Sequence, residues 1–379
     1  MRLTFFVARV ISHCPTVSQM VTALNQPSSP FRLVDVTSAT PDQIRQALRE
    51  SDGILVEATI LGASKSPSLF PRYLQLAKPL SAVQLQEIVQ QLLEPDLPRL
   101  LVAGDFDLHG PLGGGLTPQQ VSRFDALAWD YVEVPPGVTN VPDDLVDEWM
   151  NEQPSPITNW QRIREDFACQ IEFPHAVAPK DLTARNSIPI WDTCIPGQPY
   201  TSRHVAASST RLEGLSQAPF ASTARAIFKL TKPLGSLGPA GDSARYRIQA
   251  LNQRFNVAHS RSCWVDGSAY GYFVRKFVEV PALGTPMVTP YMPMLARLGF
   301  QTGKTYVEAE PAAFGHEARF LRDNARIAQS MARAAQQVVA KHHLWSHRLA
   351  DLYTAARSVA EGDRRVWRYE QGNLQASAD

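Results

Sequence analysis

Short apolar runs alternate with amphipathic segments over the first 180 residues. The runs are rich in β-branched and aromatic residues, and the segments between them repeat apolar positions at helical spacing. The predicted strands are Leu3–Ile11, Arg32–Val36, Gly53–Ala58, Arg99–Gly104, Tyr131–Val134 and Gln170–Phe173. Helices are predicted over Pro41–Glu50, with Thr40 as N-cap, and over Ser81–Leu93. This rhythm is typical of a parallel sheet with helices on both faces.

The strand–helix rhythm starts again after a polar, proline-containing stretch at residues 178–187, which we interpret as an interdomain linker. The second set of predicted strands is Ile188–Cys194, Ala226–Leu230, Ser262–Val265, Met287–Thr289 and Tyr306–Glu308. Residues from about 314 to 359 are predicted helical, and the polar end, 371–379, is predicted to fray.

The predicted fold class is therefore α/β, with two Rossmann-like domains facing an interdomain cleft. The expected N-terminal domain is 1–180, the second domain is 185–355, and a C-terminal helix and tail, 356–379, return toward the first domain. In open sheets of this kind, ligands bind at the carboxyl ends of the strands. We expect the functional site at those strand ends.

Composition narrows the class of protein. The 379 residues are 44% hydrophobic and 19% charged, with a net charge of +1, which is typical of a soluble globular protein and gives no general attraction to nucleic acid or anionic membrane. No apolar run approaches the roughly 18–20 residues of a membrane span. Arg9 interrupts the apolar start, which favours a first strand over a signal peptide. The four scattered cysteines lack metal-ligand spacing and suggest a cytoplasmic protein.

The run from Gly271 to Pro286 is the most informative part of the chain. It predicts a short helix that begins and ends at a glycine, and Arg275, Lys276 and Glu279 share one face near its positive end. Two cations there suit a diphosphate, and the carboxylate suits a ribose hydroxyl pair. A solvated helix with an Arg275–Glu279 ion pair would explain the same spacing.

This run, with its Arg-Lys-x-x-Glu-x-Pro-Ala-x-Gly pattern, resembles the donor-binding half of GT-B glycosyltransferases, in particular the CgeB-like group and nucleotide-sugar transferases of families 1 and 4. The similarity continues through Leu298-Gly-Phe300 and Lys304-Thr-Tyr306 to a cluster of His342, His343, Trp345, His347 and Arg348. The resemblance implies a GT-B fold, a nucleotide-sugar donor linked to uridine or guanosine diphosphate, and no cofactor or metal.

The resemblance also implies roles for particular residues. Arg275 and Lys276 would stabilise the charge of the leaving diphosphate. Gly197 and Arg203 match the glycine and basic residue that contact donor phosphates, and Glu279 matches a ribose-binding glutamate. The paired glutamate of the family falls on Gly271 here, so that half of the pattern is absent. Backbone groups of Tyr270, Gly271 and Tyr272 would approach the donor, and Asp266 is a further carboxylate nearby.

The N-terminal half offers acidic and histidine side chains after a predicted strand. Asp105 and His109 follow Arg99–Gly104 and would meet the acceptor, as general base or hydrogen-bond partner. Asp105 capping its loop is an equally good reading. His343 and His347 have the i, i+4 spacing of a metal pair, but no third ligand accompanies them, which favours packing.

Together with the resemblance, these patterns predict a cytoplasmic glycosyltransferase. The resemblance further implies that the enzyme is metal-independent and retains anomeric configuration. Its acceptor is open: a glycan, a protein, a small molecule or nucleic acid. Three alternatives remain, namely a catalytically inert GT-B-like interaction protein, a nucleotide-sugar epimerase or phosphorylase on the same fold, and a DNA-modifying glycosyltransferase. A requirement for an acceptor would separate a transferase from an epimerase.

Overall fold

The computed structural model describes most of the chain. The described residues are 1–8, 10–11, 16–58, 60–61, 75–76, 80–103, 120, 122–129, 165–182, 188–197, 201–219, 239–267 and 273–377. The predicted strands Tyr131–Val134 and Ala226–Leu230 lie outside these residues.

Strands and helices alternate along the described chain. In chain order the strands are β1 Leu3–Val7, β2 Val10–Ile11, β3 Arg32–Asp35, β4 Gly53–Glu57, β5 Gln75–Leu76, β6 Arg99–Val102, β7 Ala126–Trp129, β8 Gln170–Glu172, β9 Trp191–Cys194, β10 Ser260–Trp264, β11 Met287–Thr289, β12 Val307–Glu308, β13 Trp367–Glu370 and β14 Asn373–Ala376. The α-helices are α1 Thr16–Leu24, α2 Pro41–Arg49, α3 Ala82–Leu93, α4 Thr201–Leu212, α5 Pro239–Ala258, α6 Lys276–Ala282, α7 Pro293–Arg297, α8 Phe314–Asp323, α9 Ala325–His342 and α10 Trp345–Ala360.

The chain forms two compact units, each built around its own parallel sheet. Unit 1 comprises Met1–Pro174, Trp345–Tyr369 and Leu374–Asp379, and unit 2 comprises His175–Leu344 and Glu370–Asn373. The sequence placed the change of domain at residues 180–185 and the return at residue 356. In the structure the chain leaves unit 2 after Leu344, because Trp345, Leu349 and Leu352 of α10 are buried within unit 1.

Unit 1 contains an eight-stranded sheet in the order β14-β13-β8-β7-β6-β4-β1-β3. β1 lies parallel to both β3 and β4, and the parallel pairing continues through β6, β7 and β8 to β13. Every residue of β1, β4, β6 and β7 is buried, as expected of parallel strands covered on both faces.

Local capping explains where two helices of unit 1 begin. Thr40 accepts a hydrogen bond from the Gln43 amide, the Gln43 side chain accepts one from the Thr40 amide, and Pro41 takes the first helical position. Ser81 and Gln84 form the same reciprocal arrangement at the start of α3. Both helices were predicted from the sequence within one residue of their observed ends.

Unit 2 contains a four-stranded parallel sheet in the order β12-β11-β10-β9. Cys194 of β9 lies directly beside Cys263 of β10 in the ladder. Helices α4 and α8 pack on this sheet through a cluster that includes Ala206, Trp264, Val288 and Phe314, all almost inaccessible to solvent. The α/β class expected from the sequence, with a Rossmann-like parallel sheet in each unit, is confirmed.

Three sequence expectations about elements were wrong. The predicted strand Leu3–Ile11 is two strands, because β2 pairs antiparallel with β5 in a separate sheet. The helix expected from Gly271 begins only at Lys276, and Phe273 and Val274 precede it outside any helix or strand. The tail expected to fray includes β14, which Gly372, at φ 84°, allows to fold back beside β13.

Within the part of the chain that the structure describes, none of the helices has the length and apolarity needed to span a bilayer.

Candidate functional site

The candidate site lies at the carboxyl ends of β9 and β10. After β9 the chain turns at Gly197, where φ is 107°, and α4 begins at Thr201 with Arg203 in its first turn. After β10, Asp266 follows two residues beyond the strand end. Because β9 and β10 are parallel neighbours, these residues reach the same edge of the sheet. Two segments about 60 residues apart in the chain are thus brought together.

Two cationic side chains converge on Gly197. A Cβ placed on Gly197 would lie 2.6 Å from Nη1 of Arg203 and 2.6 Å from Nζ of Lys276. Because both nitrogens lie 2.6 Å from one point, their positive charges are close together and repel each other where water is scarce. We call Gly197, Arg203 and Lys276 the cation site. Its geometry favours occupation by an anion.

The buried carboxylate of Asp266 binds Arg203 through guanidinium nitrogens other than Nη1. Oδ1 of Asp266 accepts from Nε of Arg203 at 2.9 Å and from Nη2 at 2.5 Å. Its Oδ2 accepts from the Ser202 hydroxyl at 2.8 Å and from the Trp264 indole at 3.1 Å. Burial opposes ionisation of this carboxyl, but Arg203, Ser202 and Lys276 outweigh burial and lower its pKa. Asp266 is therefore ionised at neutral pH.

Lys276 is the less compensated of the two cations. Burial, followed by the positive charge of Arg203, lowers its pKa to about 8, against the opposing influence of Asp266 and Glu279. Among the described residues, no carboxylate lies within ion-pair distance of Lys276. Its ammonium is thus a charged group near neutral pH whose charge an anionic ligand would stabilise.

Arg275 has a different partner. Its Nη2 donates to both oxygens of Glu279 at 3.1 Å, and Gln253 donates to Oε2 of Glu279 at 3.3 Å. The ion pair considered in the sequence analysis is therefore present. In the structure, Lys276 lies beside Arg203 at Gly197, whereas Arg275 pairs with Glu279. The two cations that are adjacent in sequence therefore have different neighbours.

Several predicted site residues lie outside the described residues. They are Asp105, His109, Tyr270, Gly271 and Tyr272. Gly197, Arg203, Arg275, Lys276 and Glu279 are described, and their surroundings are given above.

Sequence reasoning understated Asp266 and missed Ser202 and Trp264. Asp266 was noted only as a nearby carboxylate, because its partner Arg203 is 63 residues away in the chain. A usable signal was its position just after a buried strand, where an acidic residue at a parallel sheet's carboxyl edge faces the ligand side.

Two neighbouring thiols lie in β9 and β10, the strands that lead to the candidate site. Cys194 and Cys263 are both buried, and burial together with the neighbouring Cys194 raises the pKa of Cys263 well above its usual value. A thiol with a raised pKa is a poor nucleophile. In the described part of the chain, no group of three His, Cys, Asp or Glu side chains is arranged to hold a metal ion.

His343 belongs to the packing of unit 2. Its Nε2 lies 2.8 Å from the Leu298 carbonyl, and its ring stacks on Phe300 at 5.3 Å between centroids. The side chain is fully buried. These contacts support the packing role that the sequence favoured.

Comparison with known families reaches the same part of the chain. Residues 241–354 match a family model described as glycosyl transferase-like. This segment of the chain is similar to glycosyltransferases. It contains Lys276, Arg275 and Glu279, and the match confirms the resemblance to glycosyltransferases and the expected transferase class over these residues. The CgeB-like subgroup stays a prediction. No curated protein matches the chain.

Three of the solved structures with a similar backbone arrangement are described next. A glycosyltransferase from Rickettsia africae has 9% sequence identity and a TM-score of 0.46, over 96% of this chain and 99% of that one. Sucrose-phosphate synthase from Thermosynechococcus elongatus has 9% identity and 0.44, over 96% and 100%. Anabaena HepE, solved with UDP and glucose, has 11% identity and 0.44, over 94% and 100%. These TM-scores are below 0.5, so the likenesses carry no functional argument.

Proposed function

We propose that this protein transfers a sugar from a nucleoside-diphosphate sugar to an acceptor, and that unit 2 binds the donor. The observation that carries the proposal is the convergence of Arg203 and Lys276 on Gly197. Two cations at the carboxyl edge of a parallel sheet suit a diphosphate, which carries its charge over two adjacent phosphates.

Transfer breaks the bond between the sugar and the diphosphate, and negative charge grows on the departing group. Preorganised positive charge is the main contribution that a protein can make to such a step. Arg203 is fixed by Asp266, so its guanidinium does not have to reorganise as the charge develops, and Nζ of Lys276 lies at the same point beside Gly197. Metal independence and retention of configuration belong to the proposal through the family resemblance.

Glu279 completes the proposed donor site. The resemblance gives it the ribose hydroxyls, and Arg275 and Gln253 hold its carboxylate in one orientation. The donor is linked to uridine or guanosine diphosphate, and unit 1 supplies the acceptor site. Asp105 and His109 are the acceptor residues that the sequence proposes.

The test is a binding titration with uridine and guanosine diphosphates, followed by thermal unfolding at saturating ligand. A ligand that binds only the folded protein raises its melting temperature by mass action. Lys276→Gln is expected to reduce the shift strongly, because it removes one of the two cations. Lys304→Gln is the matched control, because Lys304 lies in the same unit with its side chain exposed. An equal loss in both variants, or no shift in the wild type, contradicts the proposal.

Turnover separates the candidate activities. A transferase releases nucleoside diphosphate in proportion to acceptor, whereas an epimerase turns over without one. An inert interaction protein binds the nucleotide and never releases product. Slow hydrolysis of the donor, which uses water as acceptor, provides a readout while the natural acceptor is unknown.

A further inference from the structure

Asp266 is placed to fix the orientation of the Arg203 guanidinium group. Arg203 and Asp266 are 2% and 3% exposed, so their pairing is shielded from water. A guanidinium presents its donors in a rigid planar fork. Asp266 binds the Nε and Nη2 side of that fork, which leaves Nη1 as the end directed at Gly197 and Lys276.

The carboxylate is itself held by groups anchored in the fold. Trp264 donates its indole N–H to Oδ2 and packs against Phe314, with 5.4 Å between ring centroids. Ser202 donates to the same oxygen from the first turn of α4. These contacts fix the plane of the carboxylate and, through it, the plane of the guanidinium.

We infer that Asp266 is a positioning residue for diphosphate recognition, acting through Arg203. This inference rests on the proposed function, since it specifies how the donor site obtains its geometry. Asp266 does not touch the ligand. It holds Nη1 of Arg203 at the point where Nζ of Lys276 also arrives, so that one diphosphate is bound by both cations at once.

The competing explanation is that Asp266 only neutralises buried positive charge. The two explanations predict opposite changes in the affinity for a diphosphate when Asp266 loses its charge. A negative charge beside the cation site weakens anion binding electrostatically, so removing a mere counter-charge tightens the binding of a diphosphate. Removing a positioning group loosens it, although the site becomes more positive.

The experiment measures the affinity of uridine diphosphate by calorimetry for two substitutions of Asp266, near neutral pH, where Lys276 is protonated. Asp266→Asn keeps the size of the side chain and removes its charge. Asp266→Glu keeps the charge and moves the carboxylate by one methylene. Positioning predicts that both variants bind at least about tenfold more weakly. A counter-charge predicts tighter binding for Asn and unchanged binding for Glu.

A double-mutant cycle tests whether the effect passes through Arg203. In an Arg203→Met background, Asp266→Asn is expected to cause no further loss, and any remaining effect should tighten binding. If Asp266→Asn weakens binding equally with and without Arg203, the residue acts by another route and the inference is wrong.

A milder substitution covers the case in which Asp266→Asn fails to fold, as judged by its circular dichroism and melting temperature. Ser202→Ala leaves the buried indole of Trp264 in place and removes only the hydroxyl that donates to Oδ2. It is expected to weaken the binding of uridine diphosphate as well, by a smaller factor, and unchanged affinity overturns the inference.

If the wild type binds neither uridine nor guanosine diphosphate, the proposed function fails and this inference with it. If the wild type binds and Asp266→Asn binds as tightly or more tightly, only the inference fails.

Discussion

Gly197 combines a positive backbone φ angle with two cationic side chains close to its Cα. Its φ of 107° is unfavourable for other residues, and a Cβ would overlap the ends of Arg203 and Lys276. Because those ends belong to flexible side chains, Gly197→Ala is expected to displace the cations rather than the backbone. We predict a loss of diphosphate affinity of about tenfold or more, with a stability cost of about 1–3 kcal/mol. Calorimetry and denaturant unfolding measure the two effects.

Gly214→Ala is the matched control for this prediction. Gly214 also has a positive φ, 63°, but nothing lies within 4 Å of its added Cβ. The substitution should cost about 1 kcal/mol of strain and leave diphosphate affinity unchanged. If both alanine variants lose affinity equally, backbone strain rather than displacement of the cations explains the loss.

Lys276 gives the site a pH dependence. With its pKa lowered to about 8, the ammonium is charged below that pH and neutral above it. Affinity for diphosphate should therefore be greatest below pH 8 and fall as pH rises through this value. A phosphate's last ionisation, near pH 6, is complete well before then. Affinity measured across this range in the wild type and in Lys276→Met provides the check, since the variant should lose the decline.

Two of the groups around Lys276 keep their charge states through that range, and Arg203 faces Lys276 from α4. The pKa of Asp266 is lowered, so it stays ionised, and the raised pKa of Cys263 keeps its thiol neutral. Arg275, at the N-cap of α6, is paired with Glu279 of that helix. A decline that persists in Lys276→Met would assign the titration to a different group.

Sequence reasoning found most of the residues of this site but not their partnerships. Arg275 and Glu279 pair at a local spacing, i to i+4, which is readable in a sequence. Arg203, Asp266 and Lys276 meet only because β9 and β10 are neighbours in the sheet, and strand order is not encoded by local periodicity. The sequence therefore proposed Arg203, Arg275 and Lys276 separately as phosphate-binding residues, and the structure brings Arg203 and Lys276 together at Gly197.

At the scale of elements, a glycine sets the distance between α4 and α8. A Cβ on Gly315 would lie 2.3 Å from the Ser209 carbonyl oxygen, and the Gly315 amide donates to the Ser209 hydroxyl at 3.0 Å. The obstructing atom is backbone, so a rotamer change cannot relieve the overlap. We predict that Gly315→Ala destabilises the protein by about 1–3 kcal/mol by forcing the helices apart.

Denaturant unfolding tests this prediction, with Arg322→Ala on the same helix as the control. Arg322 is partly exposed and pairs with adjacent Asp323, so its loss should change stability by less than about 0.5 kcal/mol. Gly315→Ala should reduce diphosphate affinity less than Gly197→Ala, because Ser209 lies well beyond Arg203 along α4. Unchanged stability in Gly315→Ala would mean that the two helices separate without cost.

The elements that the sequence predicted well are those with strong local signals. The capped helices α2 and α3 and strand β11 match their predicted ranges closely. The start of α6 was misplaced, because the glycine at 271 suggested an earlier beginning and no capping side chain marks the true one. Strand β14 was missed, because its polar composition is typical of a frayed end and only its pairing with β13 makes it a strand.

At the scale of the whole molecule, unit 1 depends on the last part of the chain. Arg348 of α10 is fully buried, donates to the Pro174 carbonyl at 3.2 Å and lies 4.2 Å from the centre of the Tyr369 ring. The Tyr369 hydroxyl donates to Asp351 at 2.7 Å, and its amide donates to Glu172 of β8 at 2.8 Å. The final strands thus cover a buried cation and extend the sheet.

Truncation after Ala360 is therefore predicted to destabilise unit 1 by more than about 3 kcal/mol. It removes β13 and β14, exposes the edge of β8, and takes away the Tyr369 ring that packs against the Arg348 guanidinium. The protein truncated after Ser377 keeps both strands and should have the same melting temperature as the full chain.

Hydrogen exchange distinguishes the two units. In the protein truncated after Ala360, loss of amide protection should begin in β7 and β8, next to the missing strands, and be smaller in β10 and β11. Uniform loss in both sheets would instead indicate that the two units unfold as one cooperative body, and unchanged protection in β8 would show that the final strands contribute little to unit 1.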